Sequence, residues 1–436
     1  MLIHLSRGQW ACAITVLCAA VSFEVPANVA DAAAKPINLH DAVSRALESN
    51  PGLHGARYAL RAREAEQGSA VLKPAPAVSL QVEDAFGTGS ARGTERAQWT
   101  LSLSQVVELG GRAGYRRGAA EARTAVTQVQ RDARQLDLLA EVARAYVDLL
   151  AAQARHDLAL DTLSLARKAH GEIRERVAAA RSPEFHRRRT AVDVARAELA
   201  LEHAEHAWDV SSRQLAASWG EIDAGRLQAV GVLMQPPTIM AFDRLQARLD
   251  QQPELLHFVS EARLRDAEWQ LARSRGRPEL EWNLGARQLP GGDDQALVAG
   301  VSIPLFSARR ARPKVEAADW RREQSRQDAQ QARLQLSTRL FAIYQELRHA
   351  LRELDALESV ILPELEAVVA QTRDGLRRGR FSYYEWADAQ RELLASRRAR
   401  IDAAHEAHLH AIELERLTGV ALSPAAAVQS LQEPQS

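Results

Sequence analysis

Thirteen histidines in 436 residues raise the question of metal binding first. His203/His206 and His405/His408 each stand three apart, a spacing that brings two imidazoles to one face of a helix. A zinc site asks for three or four protein donors, and His405-Glu406-Ala407-His408 is one residue short of the His-Glu-x-x-His spacing. The two pairs therefore read as solvated helix faces. His156 falls on an apolar stripe and reads as a core or pore-facing residue. Asp374 carries two readings: a ring of carboxylates at a pore constriction selects cations, while a carboxylate four residues before Arg378 makes an exposed helical ion pair. Arg187-Arg188-Arg189 is the kind of charge run that covers a solvated helix face. No phosphate loop, activated nucleophile or carboxylate pair survives inspection. Catalysis is excluded, and no cofactor or resident metal is expected.

Composition narrows the class further. The chain has 56 basic and 56 acidic side chains, and that balance argues against a nucleic-acid partner. With 23 Gly and 16 Pro, the chain is poor in helix breakers and heavy in Ala, Arg, Leu, Glu and Gln, the stronger helix formers. At the N-terminus, His4 and Arg7 precede an apolar run from Trp10 to Val21 and small residues through Ala34. That layout predicts a secretory signal peptide over 1–34, cut after Ala27, Ala30, Ala32 or Ala34. Both cysteines, Cys12 and Cys18, lie inside it, which leaves the exported chain without disulfides. Leu17 is larger than the residue expected before a lipidated cysteine.

The elements that would position any function are written twice. Asn50-Pro51-Gly52-Leu53 returns as Gln252-Pro253-Glu254-Leu255, Leu101-Ser102-Leu103 as Val301-Ser302-Ile303, and Ala180-Arg181 as Gly379-Arg380, at offsets of 202, 200 and 199. The first repeat spans 38–220 and the second 241–420, followed by a tail over 421–436. Each holds a helix, two strands, a very long helix, a turn and a return helix. Ala119 to His170 and Lys314 to Leu362 contain neither Gly nor Pro; at 1.5 Å per residue each predicts a helix of roughly 75 Å. Leu336, Leu340, Ile343, Leu347, Ala350, Leu354, Leu357 and Ile361 step by four and three, as do Leu138, Val142, Ala145, Leu149, Ala152, His156, Ala159 and Leu163. A 3.5-residue seam packs against partner helices with left-handed supercoiling.

The return helices, Glu184 to Trp219 and Arg380 to Thr418, open on start signals. Ser182-Pro183 offers a cap followed by Pro at the first helical position, and Ser382-Tyr383-Tyr384-Glu385 offers a capping box. Gly379 supplies the left-handed residue that ends the preceding helix. A return helix and the short helix over Pro51–Leu72, or Pro253–Ser274, stacked end to end would match one long helix. Between them, Val78 to Glu83, Trp99 to Ser104, Leu280 to Leu284 and Leu297 to Ile303 alternate apolar and polar residues. Such strands serve as tilted barrel strands in a membrane or as a soluble sheet with one buried face. Four strands cannot close a barrel alone, and lipid forbids an open edge; in a membrane, several chains must share one barrel.

Asn50-Pro51, the run Leu103-Ser104-Gln105-Val106-Val107-Glu108-Leu109-Gly110-Gly111-Arg112, Val301 to Phe306, and Arg378 to Glu385 with Asp388-Ala389-Gln390 carry a resemblance. Together with the duplication they make the chain similar to TolC-like outer-membrane efflux proteins, and Ser104-Gln105 through Gly111-Arg112 resembles the cobalt-zinc-cadmium branch. The resemblance implies a mainly α fold with a small β part: a homotrimer whose twelve-stranded barrel sits in outer-membrane lipid of a Gram-negative bacterium and continues as an α-helical barrel through the periplasm. It implies docking of the helix-turn tips to a periplasmic adaptor that joins a proton-driven inner-membrane transporter. The tips map onto Gly379, Arg380 and Ser382, and onto Ala180, Arg181 and Ser182; the first has Ala for Gly and lacks one residue before Ser182. The implied function is efflux of heavy-metal cations, with drug efflux and type I protein secretion as rivals within the class. From another class, a periplasmic adaptor would carry one hairpin among all-β modules, and a coiled-coil scaffold would not need the strands.

Overall fold

The computed structural model describes residues 34–89, 92–249, 252–290 and 293–419; the signal segment with both cysteines, and the tail over 421–436, lie outside them. Helix α3 (Arg112–Ala178) runs 67 residues without a break, past the Gly-free span at both ends and over Gly114, Gly118 and Gly171. Its seam is the expected one: Leu138, Val142, Leu149, Ala152 and Leu163 are buried. Helix α4 (Glu184–Ala217) returns along it.

The second half repeats this with one slip. Helix α7 (Ser307–Ala356) begins earlier than the Pro-free span, carrying Pro313 in its second turn, and ends in a π turn over Leu357–Ile361 before α8 (Leu362–Arg377). The seam is buried from Leu336 to Leu357 except for the half-buried Ile343, but Ile361 is 39% exposed and Leu362 takes its place at 6%. Leu362 N–H donates to Leu357 O, one residue further back than in an α-helix. Pro363 explains the slip: it has no N–H to give, and its ring would strike the carbonyl four residues back. A wider turn removes that clash and rotates the stripe by one residue. Helix α9 (Tyr383–Thr418) then returns.

Two short head helices complete the columns, α2 (Pro51–Ala70) and α6 (Pro253–Ser274). Their joints use the repeated motif. Asn50 accepts from Leu53 N–H at 3.0 Å and donates through Nδ2 to Ser218 O at 2.8 Å; Gln252 Nε2 donates to Thr418 O at 2.8 Å. Each amide thus ties the open C-terminal end of a return helix to the start of a head helix. The packing order is α2 with α4, then α3, then α6 with α9, then α7 with α8. The result is a curtain one helix thick with two open edges.

The alternating segments form one antiparallel sheet, β2 (Ala77–Glu83), β3 (Gln98–Glu108), β5 (Glu279–Gln288) and β6 (Gln295–Ser302), in that order. The register pairs Leu80 with Leu101, Leu101 with Ala286 and Leu284 with Ala299. One face therefore carries Val78, Leu80, Trp99, Leu101, Leu284, Leu297 and Val301, all exposed. The other carries Ser79, whose hydroxyl meets that of Ser102 at 2.8 Å, and Arg287, which reaches Glu83 at 3.0 Å and Thr100 at 3.0 Å. Among the described residues, strands β2 and β6 have free outer edges.

Four elements lack a periodic signal and were invisible in the sequence. Strand β1 (Lys35–Ile37) pairs in parallel with β4 (Leu227–Ala229), and α1 (Leu39–Ser49) packs with them on the middle of α3. Tyr146 of α3 donates to Val230 O at 2.6 Å there. On the second half, α5 (Phe242–Arg248) buries Leu245 against α7 and α9.

Candidate functional site

The two hairpin tips are built by the same backbone device from different residues. At the first, Ala180 takes φ 54°, and Arg181 N–H donates to Arg176 O at 2.8 Å. At the second, Gly379 takes φ 72°, and Arg380 N–H donates to Gly375 O at 2.8 Å. Both bonds close the left-handed helix terminator. Ser382 behaves as expected: its N–H donates to Glu385 Oε2 at 2.7 Å while its hydroxyl accepts from Glu385 N–H at 3.4 Å. The Ser382 backbone N–H, then its hydroxyl, hold the Glu385 carboxyl below the usual range.

Ser182 does not act as the expected cap. The cap position of α4 is Pro183, with no side-chain bond to the helix, and Ser182 Oγ lies 2.9 Å from His186 Nδ1 instead. The residue missing from this tip is the reason: without it the chain reaches the helix one position late, and Pro183 stands where the cap should be. Among the described residues no carboxylate hydrogen bond to His186 accompanies this pair.

Aromatic rings join the tips. His186 lies 5.0 Å from Tyr383 and 5.8 Å from Tyr384, and Phe185 stacks on Tyr384 at 6.5 Å. Below them Ala169, Ile173, Leu376, Tyr383 and Trp386 form a buried cluster. Tyr383 O–H donates to Asp193 at 3.4 Å; burial, and then the Asp193 charge, push its pKa up to about 12. Glu172 of α3 pairs with Arg373 and, at 3.7 Å, with Arg377 of α8. Above the cluster a cavity of about 600 Å³ opens between α3, α4, α8 and α9, lined by Arg189, Asp193, Arg196, Glu366, Arg373 and Tyr383 among others. Asp374 pairs with Arg378 at 3.1 Å, both side chains more than half exposed; in one chain the ion-pair reading describes it.

The histidine pairs part company. His203 and His206 are exposed as expected. His405 and His408 are not solvated: His405 Nε2 lies 2.6 Å from Asp148 Oδ1, and His408 Nε2 lies 2.9 Å from Leu233 O. Burial holds His408 below its ordinary pKa. Each points to a different helix or loop, so they hold elements together rather than converge, and no group of three metal-binding side chains occurs among the described residues. His156 sits edge-on to Trp208 at 5.0 Å, a packed position. Of the arginine run, Arg187 binds Glu184 at 2.8 Å and Arg189 lines the cavity.

Sequence reasoning missed the roles of five residues. Phe381, the extra residue of the second tip, folds onto Gly375, where any Cβ would collide with its ring. His186 and Trp386 lie in the first turns of the two return helices, third and fourth after the caps Pro183 and Ser382. Asn50 and Gln252 are joints. Only the last pair left a signal, its recurrence before Pro in both repeats.

Comparisons with known proteins agree with this architecture. The family model described as "Outer membrane efflux protein" matches residues 42–221 and 245–420. The chain is 27% identical over 387 residues to the cobalt-zinc-cadmium resistance protein CzcC of Cupriavidus metallidurans, covering 89% of this chain and 91% of that one. It is 27% identical over 257 residues to the nickel-cobalt-cadmium resistance protein NccC of Alcaligenes xylosoxydans xylosoxydans, covering 57% and 58%. Among solved structures, CusC superposes with a TM-score of 0.74 at 17% identity, covering 87% of this chain and 91% of that chain. VceC of Vibrio cholerae superposes at 0.73 and 16%, covering 88% and 97%.

Proposed function

The chain belongs to the outer membrane efflux protein family, and on that premise we propose that three copies close into one conduit that exports heavy-metal cations. The observation that carries the ring is that the sheet and the helical curtain end together. β2 and the α2/α4 column form one open edge, β6 and the α7/α8 column the other. The strand edges present unpaired backbone, and the helical edges present Phe185, Val192 and Leu199 on one side and Trp320, Leu334 and Phe341 on the other, all exposed and mostly seven apart. Joining one edge to the opposite edge of the next copy satisfies both layers at once and generates a ring. Two copies would give eight strands, whose interior fills with side chains; three give twelve and leave a lumen. In that ring Ser79, Gln81, Ser102, Asn283 and Arg287 face water, and the apolar face meets lipid.

The tips, with Ala180, Arg181 and Ser182 beside Gly379, Arg380 and Ser382, dock a periplasmic adaptor that couples to a proton-driven inner-membrane transporter. Asp374, one and a half turns before Gly379, lines the mouth and favours cations there. The cation cargo rests on the names of CzcC and NccC. The ring predicts a heat-modifiable trimer in mild detergent, and a folded monomer there would overturn it. Deletion should sensitise cells to cobalt, zinc, cadmium or nickel. Unchanged metal tolerance together with sensitivity to dyes and detergents would move the cargo to drugs.

A further inference from the structure

Where the sheet meets the helices, the molecule carries a surplus of positive charge that neither layer uses. At this level the carboxylates of Glu108 and Glu279 are neutralised inside the chain by Arg116 and Arg112. Arg277 donates to Gly110 O at 2.7 Å, and Arg112 to Arg277 O at 3.1 Å, so the junction is braced without further charge. Beyond that brace, Arg117, Arg275, Arg309, Arg310, Arg312 and Lys314 are all exposed, and none is ion-paired among the described residues. Glu316 is the one acidic residue in the first ten of α7.

Helix stability does not explain these side chains. Arg309, Arg310 and Arg312 occupy the first two turns of α7, whose first turn holds no acidic residue, and cations at a helix N-terminus oppose the backbone dipole. Their neighbours indicate the environment. Leu109 and Ile303 directly follow β3 and β6, and the turn into α7 adds Leu305 and Phe306, which are 71% and 76% exposed. An apolar band that stops at a cluster of exposed cations is the profile of a membrane boundary facing anionic headgroups.

We propose that this junction is a phospholipid-binding belt, in which Arg309, Arg310, Arg312 and Lys314, with Arg117 and Arg275, hold the phosphates of anionic phospholipids in the periplasmic leaflet. Ile303, Leu305 and Phe306 enter the acyl boundary and set the depth of the barrel. The inference rests on the reading of the sheet as a membrane barrel. The belt fixes where the barrel stops and the periplasmic tube begins, and it ties the tube's height above the membrane to leaflet charge.

The test uses the purified full-length trimer in mild detergent, probed with dioleoylphosphatidylglycerol, dioleoylphosphatidylcholine and inorganic phosphate. Bound lipid is counted by native mass spectrometry, and the melting midpoint is followed in parallel. The parent should prefer phosphatidylglycerol over phosphatidylcholine by about tenfold at low salt, and the preference should collapse near 1 M salt, where charges are screened within about 3 Å. The combined change Arg309→Ala, Arg310→Ala, Arg312→Ala and Lys314→Ala should remove the preference. The three Arg→Lys changes should retain it, because a surface held by charge tolerates the exchange. A parent trimer with no preference, or a salt-independent one, overturns the belt, as does an alanine variant that keeps the preference. Inorganic phosphate that stabilises as well as the lipid would show a free-anion site and also overturn it. If the alanine variant does not assemble, the salt series on the parent decides. A parent chain that stays monomeric overturns the barrel reading and the belt together, whereas an intact trimer without preference overturns the belt alone.

Discussion

The two tips make one turn from unlike parts. In the second, Gly379 adopts φ 72° with nothing within 4 Å of where a Cβ would stand, Ser382 and Glu385 cap the return helix, and Phe381 closes over Gly375. In the first, Ala180 bears φ 54° against its own Cβ, and Ser182 stands where the second has Phe381 and is spent on His186. A left-handed alanine costs roughly 1–2 kcal/mol. The first tip tolerates this because its neighbours hold it: His186 and Phe185 pack on Tyr383 and Tyr384 of the second. The second tip is stable by local chemistry and the first by contact with it. The difference makes the second hairpin the organiser of the pair.

The comparison breaks most sharply at Gly379. Gly379→Val forces a β-branched residue into the left-handed region, at roughly 2 kcal/mol or more. Adaptor cross-linking and metal export should fall severely while the trimer stays abundant in the outer membrane; parental cross-linking would show that this tip does not dock. Next, Gly375→Ala should expel the Phe381 ring at about 1 kcal/mol, whereas Arg176→Ala at the matched position should stay within about 0.5 kcal/mol. Hydrogen exchange at the end of α8 and of α3 reads both.

Capping gives a smaller contrast. Ser382→Ala should cost about 1 kcal/mol in the first turn of α9, and Ser182→Ala less than about 0.5 kcal/mol in α4, because Ser182 caps nothing. Equal costs would mean the tips are capped alike. Ala180→Gly should stabilise the first tip by about 1 kcal/mol, seen as slower exchange at Arg181. The mildest effect is on pH. Partial burial holds His186 below its ordinary value of 6.5, so the neutral ring favours the ordered tip. That contribution is complete above pH 6.5 and is lost as pH falls through the lowered pKa. After correction for the intrinsic pH dependence of exchange, acidification should lower protection at the first tip and leave that of the second unchanged, since no histidine lies in that turn; His186→Gln should abolish the difference.

Much of the fold was legible because its signals are local. The 3.5-residue seams of α3 and α7, the alternation of the four strands, the capping box and the left-handed Gly379 each depend on residues within a few positions of one another. Local patterns therefore determined the elements, their order, the duplication and the turn at each tip. What failed depended on distant or competing groups. Pro363 moved the seam from Ile361 to Leu362, a conflict that the heptad count does not register. His405 and His408 read as solvated because Asp148 and Leu233, their partners, lie 257 and 175 residues away. The three-residue strands β1 and β4 are too short to show a period and exist only as each other's partner. Periodicity in the sequence decided which face of each element is apolar, since side-chain direction follows from backbone geometry. Only the tertiary structure decided which faces and ends meet, because the Asn50 and Gln252 joints, the aromatic contact between the tips and the coincidence of sheet and curtain edges arise from contacts between segments far apart in the chain.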